Sequence, residues 1–209
     1  MSASEEASVR RLPEQGRSRA RVERILDVAA ELIATTGVDA MTMSGLAEAA
    51  EVSLPSVYRY FPSKQAIVAT LVQRYAARVR EQLAATMTPP SSRAGARAAL
   101  GEAMRAYWAL YRSDPAFAAV WSAAVADPAL VDLDVQDSRR NGALLASALR
   151  GVVDDDAADD LDRLAFLASH LAGAVVRLGV LLDADEADAL VGAVVDRVLP
   201  ALLGVQGEG

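Results

Sequence analysis

The chain has 209 residues, is 53% hydrophobic with only 5% aromatics, and counts 44 alanines, a composition that favours helices over strands and suffices for a buried core in one or two domains. Having no cysteine, it excludes a disulfide scaffold, a zinc–thiolate site and a thiol nucleophile. The net charge of −7 would, as an average, speak against a nucleic-acid partner, but residues 1–80 hold 11 Lys+Arg against 9 Asp+Glu, so the acidic excess lies entirely beyond them.

In chain order, Arg10, Arg11, Arg17, Arg19, Arg21 and Arg24 crowd the start, with Pro13 and Gly16 expected to break any early helix. Residues 1–18 therefore read as a flexible arginine-rich arm, either phosphate-seeking or simply solvated. Glu5, Glu6 and the lack of an apolar run exclude a signal peptide here. Val22, Ile25, Leu26, Ala29, Leu32 and Ile33 predict a helix from about Ala20 to Thr36, stopped by Gly37. Thr42 opens a short helix to about Ala50, Ser53 is placed to cap a third with Pro55 in its first turn, and Ser63 caps a fourth. In that fourth helix Ile67, Val68, Leu71, Val72, Tyr75, Val79 and Leu83 form an apolar stripe that ends before Pro89 and Pro90. Breakers at Ser113–Pro115, Asp127–Pro128, Asp154–Asp160 and Asp183–Asp185 divide the remainder into helices of about Arg93–Arg112, Pro115–Ala126, Pro128–Arg150, Ala157–Leu182 and Glu186–Leu203. No segment alternates with period two for long, so the expected fold is all-α, with about nine helices.

The unit from Thr42 to Phe61 has the spacing of a helix-turn-helix. Leu46, Val52, Val57 and Phe61 would lock its two helices together, leaving Ser56, Arg59 and Tyr60 on the outer face of the second. Hydroxyls and a guanidinium there can bond phosphates or base edges. Thr42, Leu46-Ala47, Val52-Ser53 and Pro55-Ser56-Val57-Tyr58-Arg59-Tyr60-Phe61-Pro62-Ser63-Lys64 resemble the TetR family of bacterial transcriptional regulators. The resemblance is specific over residues 20–75 and elsewhere extends only to length and helical character. It implies a three-helix DNA-binding domain (19–64) and a larger effector-binding and dimerisation domain (65–205), usually in a repressor released from a palindromic operator by a small molecule. It further implies that Thr42 caps its helix and touches the DNA backbone, with Ser44 beside it. Tyr58, Tyr60 and Lys64 would hold phosphates, and Ser53, Pro55 and Ser56 would lie nearest the bases. Arg59 reads guanine or contacts phosphate or solvent. Two residues depart from the family pattern: Glu51 stands where a turn glycine is common, and Leu54 stands where polar residues are common, expected to pack inward rather than meet a thymine methyl.

In the larger domain, Tyr107, Trp108, Tyr111, Phe117 and Trp121 gather half of the chain's ten aromatics. They form either an aromatic core or, with Met104 and Phe166, a pocket for an apolar or aromatic effector. His170, four residues beyond Phe166, and Arg177 could orient that ligand; a buried Arg177 needs a partner, either an acidic ligand or an aspartate across a dimer, or else reaches solvent. Leu164–Leu182 has the length of a membrane span, but a central arginine costs about 2.5–3.5 kcal/mol there. It reads instead as a buried helix of a soluble, cytoplasmic protein, one side on its own domain and the other on a second copy, with Gly173, Gly179 and Gly192 permitting close approach. The rival reading is a magnesium-dependent all-helical enzyme using the Asp-Asp-x-x-Asp pattern within Asp154–Asp160, although aspartates also favour a helix start. A regulator of the kind described needs no enzymatic activity, metal or cofactor.

Overall fold

The computed structural model describes the backbone of residues 3–153 and 158–206, with side chains from residue 16 onward, in two compact units, Met1–Leu71 and Val72–Gly209. Among the described residues the regular elements are nine helices, counting the last as one run, and no strand.

The first unit contains α1 (Ala3–Ala40), α2 (Met43–Ala49), α3 (Leu54–Tyr60) and the opening turns of α4 (Lys64–Thr86). α1 runs through Pro13 and Gly16, so the expected break and irregular arm give way to helical backbone. The flanking Glu, Gln, Arg, Leu and Ala residues are among the better helix formers, which favours this continuation. The helix is interrupted at Gly37 (φ 81°, ψ 160°), a backbone conformation that glycine adopts without a Cβ penalty. Ile25, Leu26, Ala29, Ala30 and Ile33 form its buried stripe, and Leu46, Val57, Phe61, Ile67, Val68 and Leu71 complete the core of this unit.

The second unit holds the rest of α4, then α5 (Arg93–Ser113), α6 (Pro115–Ala126), α7 (Val131–Leu149), α8 (Leu161–Gly179) and α9, which begins as Ala184–Ala193 and continues through one wide π turn, Val194–Val198, to Leu199–Leu202. Side-chain caps start three of these helices: Ser92 Oγ accepts from Gly95 N, Asp114 Oδ1 from Phe117 N and Asp183 Oδ1 from Glu186 N. α7 begins at Val131 rather than Pro128, because Asp127 Oδ1 accepts from Ala129 N and holds the intervening residues in a turn.

Phe117 is fully buried at the centre of the aromatic residues. Tyr75 of α4 stacks on it at 4.7 Å, and Tyr111 and Trp121 lie 4.8 and 5.7 Å away. Phe166 does not join this group; Arg139 lies 4.7 Å over its ring, and the His170 ring is 6.5 Å from it.

α7 and α8 approach closely at Gly142, where a Cβ would stand 2.6 Å from Phe166 Cα and 2.7 Å from its backbone nitrogen. Of the glycines expected to ease helix contact between copies, Gly179 accommodates the Trp108 ring and Gly173 lies against the Arg177 guanidinium within this chain, while the Gly192 Cβ position meets nothing within 4 Å. α8 is buried on one face only, through Leu161, Ala165, Ala168 and Val176, while Leu167 and Leu178 are exposed. Among the described residues no single helix is long and apolar enough to cross a membrane; only α6 with α7 passes such a test, as a pair bent by 115°.

Because the atoms facing Gly142 are backbone, they cannot swing aside. Gly142→Ala is expected to lower the unfolding free energy by about 1–3 kcal/mol, measured by urea denaturation. An unchanged midpoint and slope would show that α7 and α8 are not in this contact.

Candidate nucleic-acid interface and ligand cavity

Thr42 has extended backbone and its Oγ1 accepts from Gly45 N at 3.0 Å, so it caps α2, with Ser44 Oγ 3.3 Å from the same hydroxyl. At the far end of α2, Val52 N donates to Ala47 O and Glu51 N to Glu48 O, the paired bonds of a Schellman turn. Its left-handed position is Glu51, φ 56°; a residue with a Cβ is disfavoured there by about 1–2 kcal/mol. Arg24 braces the turn, donating through Nε to Ala50 O at 2.7 Å and pairing with Glu51 Oε1 at 3.1 Å. Sequence reasoning missed this role, because a basic residue 26 positions before its carbonyl gives no local signal.

Ser53 occupies the N-cap position of α3, yet its hydroxyl makes no capping bond. The reason is local: Pro55 at the second helical position has no N–H to offer, and Ser56 N already donates to Ser53 O at 2.8 Å. Ser53 and Pro55 are exposed, and Tyr58 is 49% exposed. Leu54, expected to pack inward, is 38% exposed, since the first turn of α3 projects beyond the core contact made by Val57. Ser56, expected on the outer face, is only partly exposed and its Oγ is buried without a hydrogen-bond partner; its position borders the buried Val57 side of the helix.

Arg59 lies 4.6 Å over the Tyr60 ring and donates to its hydroxyl, which is also 2.9 Å from Ser18 Oγ on α1. The hydrogen bonds with Ser18 and Arg59 hold the Tyr60 phenol below the ordinary tyrosine range. Ser63 Oγ accepts from Ala66 N and caps α4, whose first residue, Lys64, donates to Asp39 O at 3.2 Å. A lysine has three donors, so this bond leaves others for an anion. Ser53, Pro55, Tyr58, Arg59, Tyr60 and Lys64 thus belong to one short stretch, from the N-cap of α3 to the start of α4.

In the second unit, a cavity of about 70 Å³ is lined by Val79, Gln82 and Leu83 of α4, Leu100, Ala103, Met104 and Tyr107 of α5, Asn141 and Leu145 of α7, Ala168, Ser169 and Ala172 of α8, and Leu199. Of the expected ligand residues, Met104 lines it. Trp108 lines a separate, more open groove with Tyr111, Arg112, Gly179 and Leu182, its Nε1 tied to Asp188 Oδ1 at 2.7 Å. Phe117 and Trp121 are core residues. Phe166, His170 and Arg177 are not among the residues lining the cavity.

His170 and Arg177 instead converge on Asp134, a buried carboxylate of α7. Asp134 Oδ1 accepts from Trp121 Nε1 at 2.9 Å and lies 3.5 Å from Arg177 Nη1, while its Oδ2 is 3.5 Å from His170 Nδ1. His170 Nδ1 is also 3.1 Å from Ser138 Oγ. The carboxylate partner that Arg177 requires is therefore in its own chain. One turn on, buried Asp137 pairs with Arg80 of α4 and accepts from Asn141 Nδ2 at 2.9 Å. Asp134, Asp137, Ser138 and Asn141 follow the i, i+3, i+4, i+7 spacing of a core stripe, although all four are polar.

Burial pushes the Asp137 carboxyl above its ordinary value of 3.8, with Arg80 and Asn141 only partly opposing the shift. Between those values the folded state binds more protons than the unfolded state. Asp137 therefore contributes a fall in stability as pH rises from 3.8 through its raised pKa. Asp137→Asn should flatten that part of the stability–pH curve, measured by urea unfolding at successive pH values; an unchanged slope would place Asp137 in solvent.

A helix-turn-helix joined to a helical cavity-bearing unit defines a DNA-binding regulator with a place for a ligand. Residues 25–71 match bacterial regulatory proteins of the tetR family, and residues 94–202 match the tetracyclin repressor-like C-terminal domain. A solved TetR-family transcriptional regulator from Streptomyces coelicolor is 30% identical, with TM-score 0.67 over 90% of this chain and 97% of that one. An HTH-type transcriptional regulator in the dhlA 5' region of Xanthobacter autotrophicus is 42% identical over 64 residues, 30% of this chain and 32% of that protein. The multidrug binding protein EbrR, solved with malachite green, shares the fold at 20% identity, TM-score 0.63, over 87% of this chain and 97% of its own. The chain belongs to the TetR family of transcriptional regulators. Neither domain match points to a magnesium-dependent enzyme. Of the aspartate cluster on which that alternative rests, residues 154–157 lie outside the described residues, and Asp160 pairs with Arg163. Among the described residues no three His, Asp or Glu side chains gather as a metal site.

Proposed function

We propose that the protein is a repressor that binds a palindromic operator as a homodimer and is released when a small apolar or aromatic effector enters the cavity of its second unit. The observation that carries this reading is the composition of α4: it supplies Lys64 at its start and Val79, Gln82 and Leu83 to the cavity, so one continuous helix belongs to both functions. A ligand that favours one disposition of α4 has a covalent path to the DNA-binding unit. EbrR, which carries malachite green in the same fold, supports an effector of this general kind.

For DNA, the proposed contacts are Thr42, Ser44, Ser53, Pro55, Tyr58, Arg59, Tyr60 and Lys64. Ser53 has a hydroxyl released from capping, Leu54 offers an apolar surface to a thymine methyl, and Lys64 and the two tyrosines suit phosphates. Ser56 contributes only if its buried hydroxyl turns outward.

The dimer reading rests on α8. Leu167, Leu171, Ala174 and Leu178 recur at intervals of four and three, Leu167 and Leu178 are 43% and 48% exposed, and Leu181, 81% exposed, follows in the turn that ends the helix. Such a seam is the pattern by which two helices pack together. A twofold axis through the last two helices would present two recognition helices to half-sites about 34 Å apart. The cytoplasm is the compartment this function requires.

Lys64→Ala should weaken DNA binding and, with one lysine lost from each subunit of the dimer, lower the slope of log K against log salt by about 2, whereas Ser53→Ala should weaken binding at particular base pairs with the slope unchanged. Fluorescence anisotropy over a salt series measures both, and an unaltered slope for Lys64→Ala removes it from the phosphate contacts. In sedimentation at micromolar concentration the wild type should be a dimer and Leu178→Asp a folded monomer. A monomeric wild type would overturn the dimer. The same anisotropy assay tests release: a compound that binds the cavity should lower DNA affinity, and bound ligand with undiminished affinity would overturn the effector role.

A further inference from the structure

The cavity combines an apolar wall with buried polar groups left without partners. Val79, Leu83, Leu100, Met104, Leu145 and Leu199 supply the wall. Asn141, which is 9% exposed, and Ser169 line the same cavity; Asn141 Oδ1 and Ser169 Oγ are both buried with no hydrogen bond. An unpaired buried acceptor is costly, and native structures rarely leave two in one place without water or a ligand to satisfy them.

The orientation of the Asn141 amide is fixed by its neighbours. Its Nδ2 donates to Asp137 Oδ2, and the other oxygen of that carboxylate is held by Arg80. Turning the amide over would set Asn141 Oδ1 against a carboxylate oxygen, oxygen against oxygen, so its free group is an acceptor. Ser169 can donate or accept, and burial pushes the Tyr107 phenol up, keeping its proton on. The lining holds no Lys, Arg, Asp or Glu. A ligand carboxylate would find the neutral donors of Gln82, Ser169 and Tyr107 but no cation in the lining, while a ligand ammonium would find no anion; either pays for desolvation without a counter-charge.

From these contacts we infer that the cavity takes a neutral, mainly apolar molecule with one hydroxyl, which donates to Asn141 Oδ1 and accepts from Ser169. This rests on the effector reading above and specifies its chemistry. It also gives the ligand a link to α4, since the Asn141 side chain that accepts the ligand's hydrogen bond is bonded to Asp137, and Asp137 to Arg80.

The test uses four small probes of similar length: 1-pentanol, 1-methoxybutane, pentanoate and pentylamine. Isothermal titration of the full chain should show 1-pentanol binding about tenfold or more tightly than the ether, which has no O–H to donate, and than either ion. Asn141→Leu should bring the alcohol-to-ether ratio close to one, and Ser169→Ala, a milder change, should lower it; circular dichroism checks that both variants are folded. Ether or pentanoate binding as tightly as the alcohol, no binding of the alcohol, or an undiminished ratio in both folded variants would overturn the inference. Alcohol binding that leaves DNA affinity unchanged upholds the ligand chemistry and overturns the effector reading instead.

Discussion

The turn between α2 and α3 depends on a residue held against its own preference. Glu51 stands at φ 56° with a Cβ that glycine would not have, and the chain is kept there by the two Schellman bonds, by the buried Leu46 and Val57 on either side, and by Arg24 gripping the Ala50 carbonyl. An exposed ion pair such as Arg24–Glu51 contributes little alone. The hydrogen bond to a backbone carbonyl and the burial of Leu46 and Val57 carry more. That turn sets the direction of α3, and with it which groups face outward: Ser53, Leu54, Pro55 and Tyr58. Proline at the second position of α3 then frees the Ser53 hydroxyl that would otherwise be spent on its own helix.

The second unit depends on α7, whose inner face is polar where a core stripe is normally apolar. Asp134 gathers Trp121, His170 and Arg177, while Asp137 joins Arg80 to Asn141. Removing one partner from such a network leaves a buried charge, so its members define a fixed arrangement of α4, α6, α7 and α8 more than they add net stability. Gly142, next to Asn141, draws α8 against the same helix. The cavity lies among these elements, with orphaned groups at Asn141 and Ser169, and a molecule entering it meets a polar ladder that ends on α4.

How much of this was legible in the sequence follows from the range of the interactions. The helix-turn-helix, the caps at Thr42 and Ser63 and the interruption at Gly37 are written in residues a few positions apart, and the structure has them where the spacing puts them. The side-chain details of α3 were less visible: Ser56 turns its hydroxyl inward and Leu54 outward, choices made by packing around Val57 rather than by the motif. In the larger unit, aromatic clustering left core and pocket open, and Phe117 and Trp121 are core because Tyr75 and Asp134, distant in sequence, meet them. The acidic residues of α7 carried no assigned role in the sequence, because Arg80, Arg177 and His170, which meet them, are distant along the chain. Their helical spacing, together with the unpaired arginine of α8, was the available signal. The apolar run Leu164–Leu182 that imitates a membrane span divides into a face buried in its own unit and a leucine seam that remains exposed.

The central claim is that two copies of one Glu51-dependent reading head recognise DNA together. Selection of bound sequences from a random DNA pool by the full chain tests it most directly. An enriched inverted repeat is expected, with half-sites one helical turn or a multiple of it apart. Enrichment of no sequence, or of a solitary half-site without its inverted mate, would contradict it.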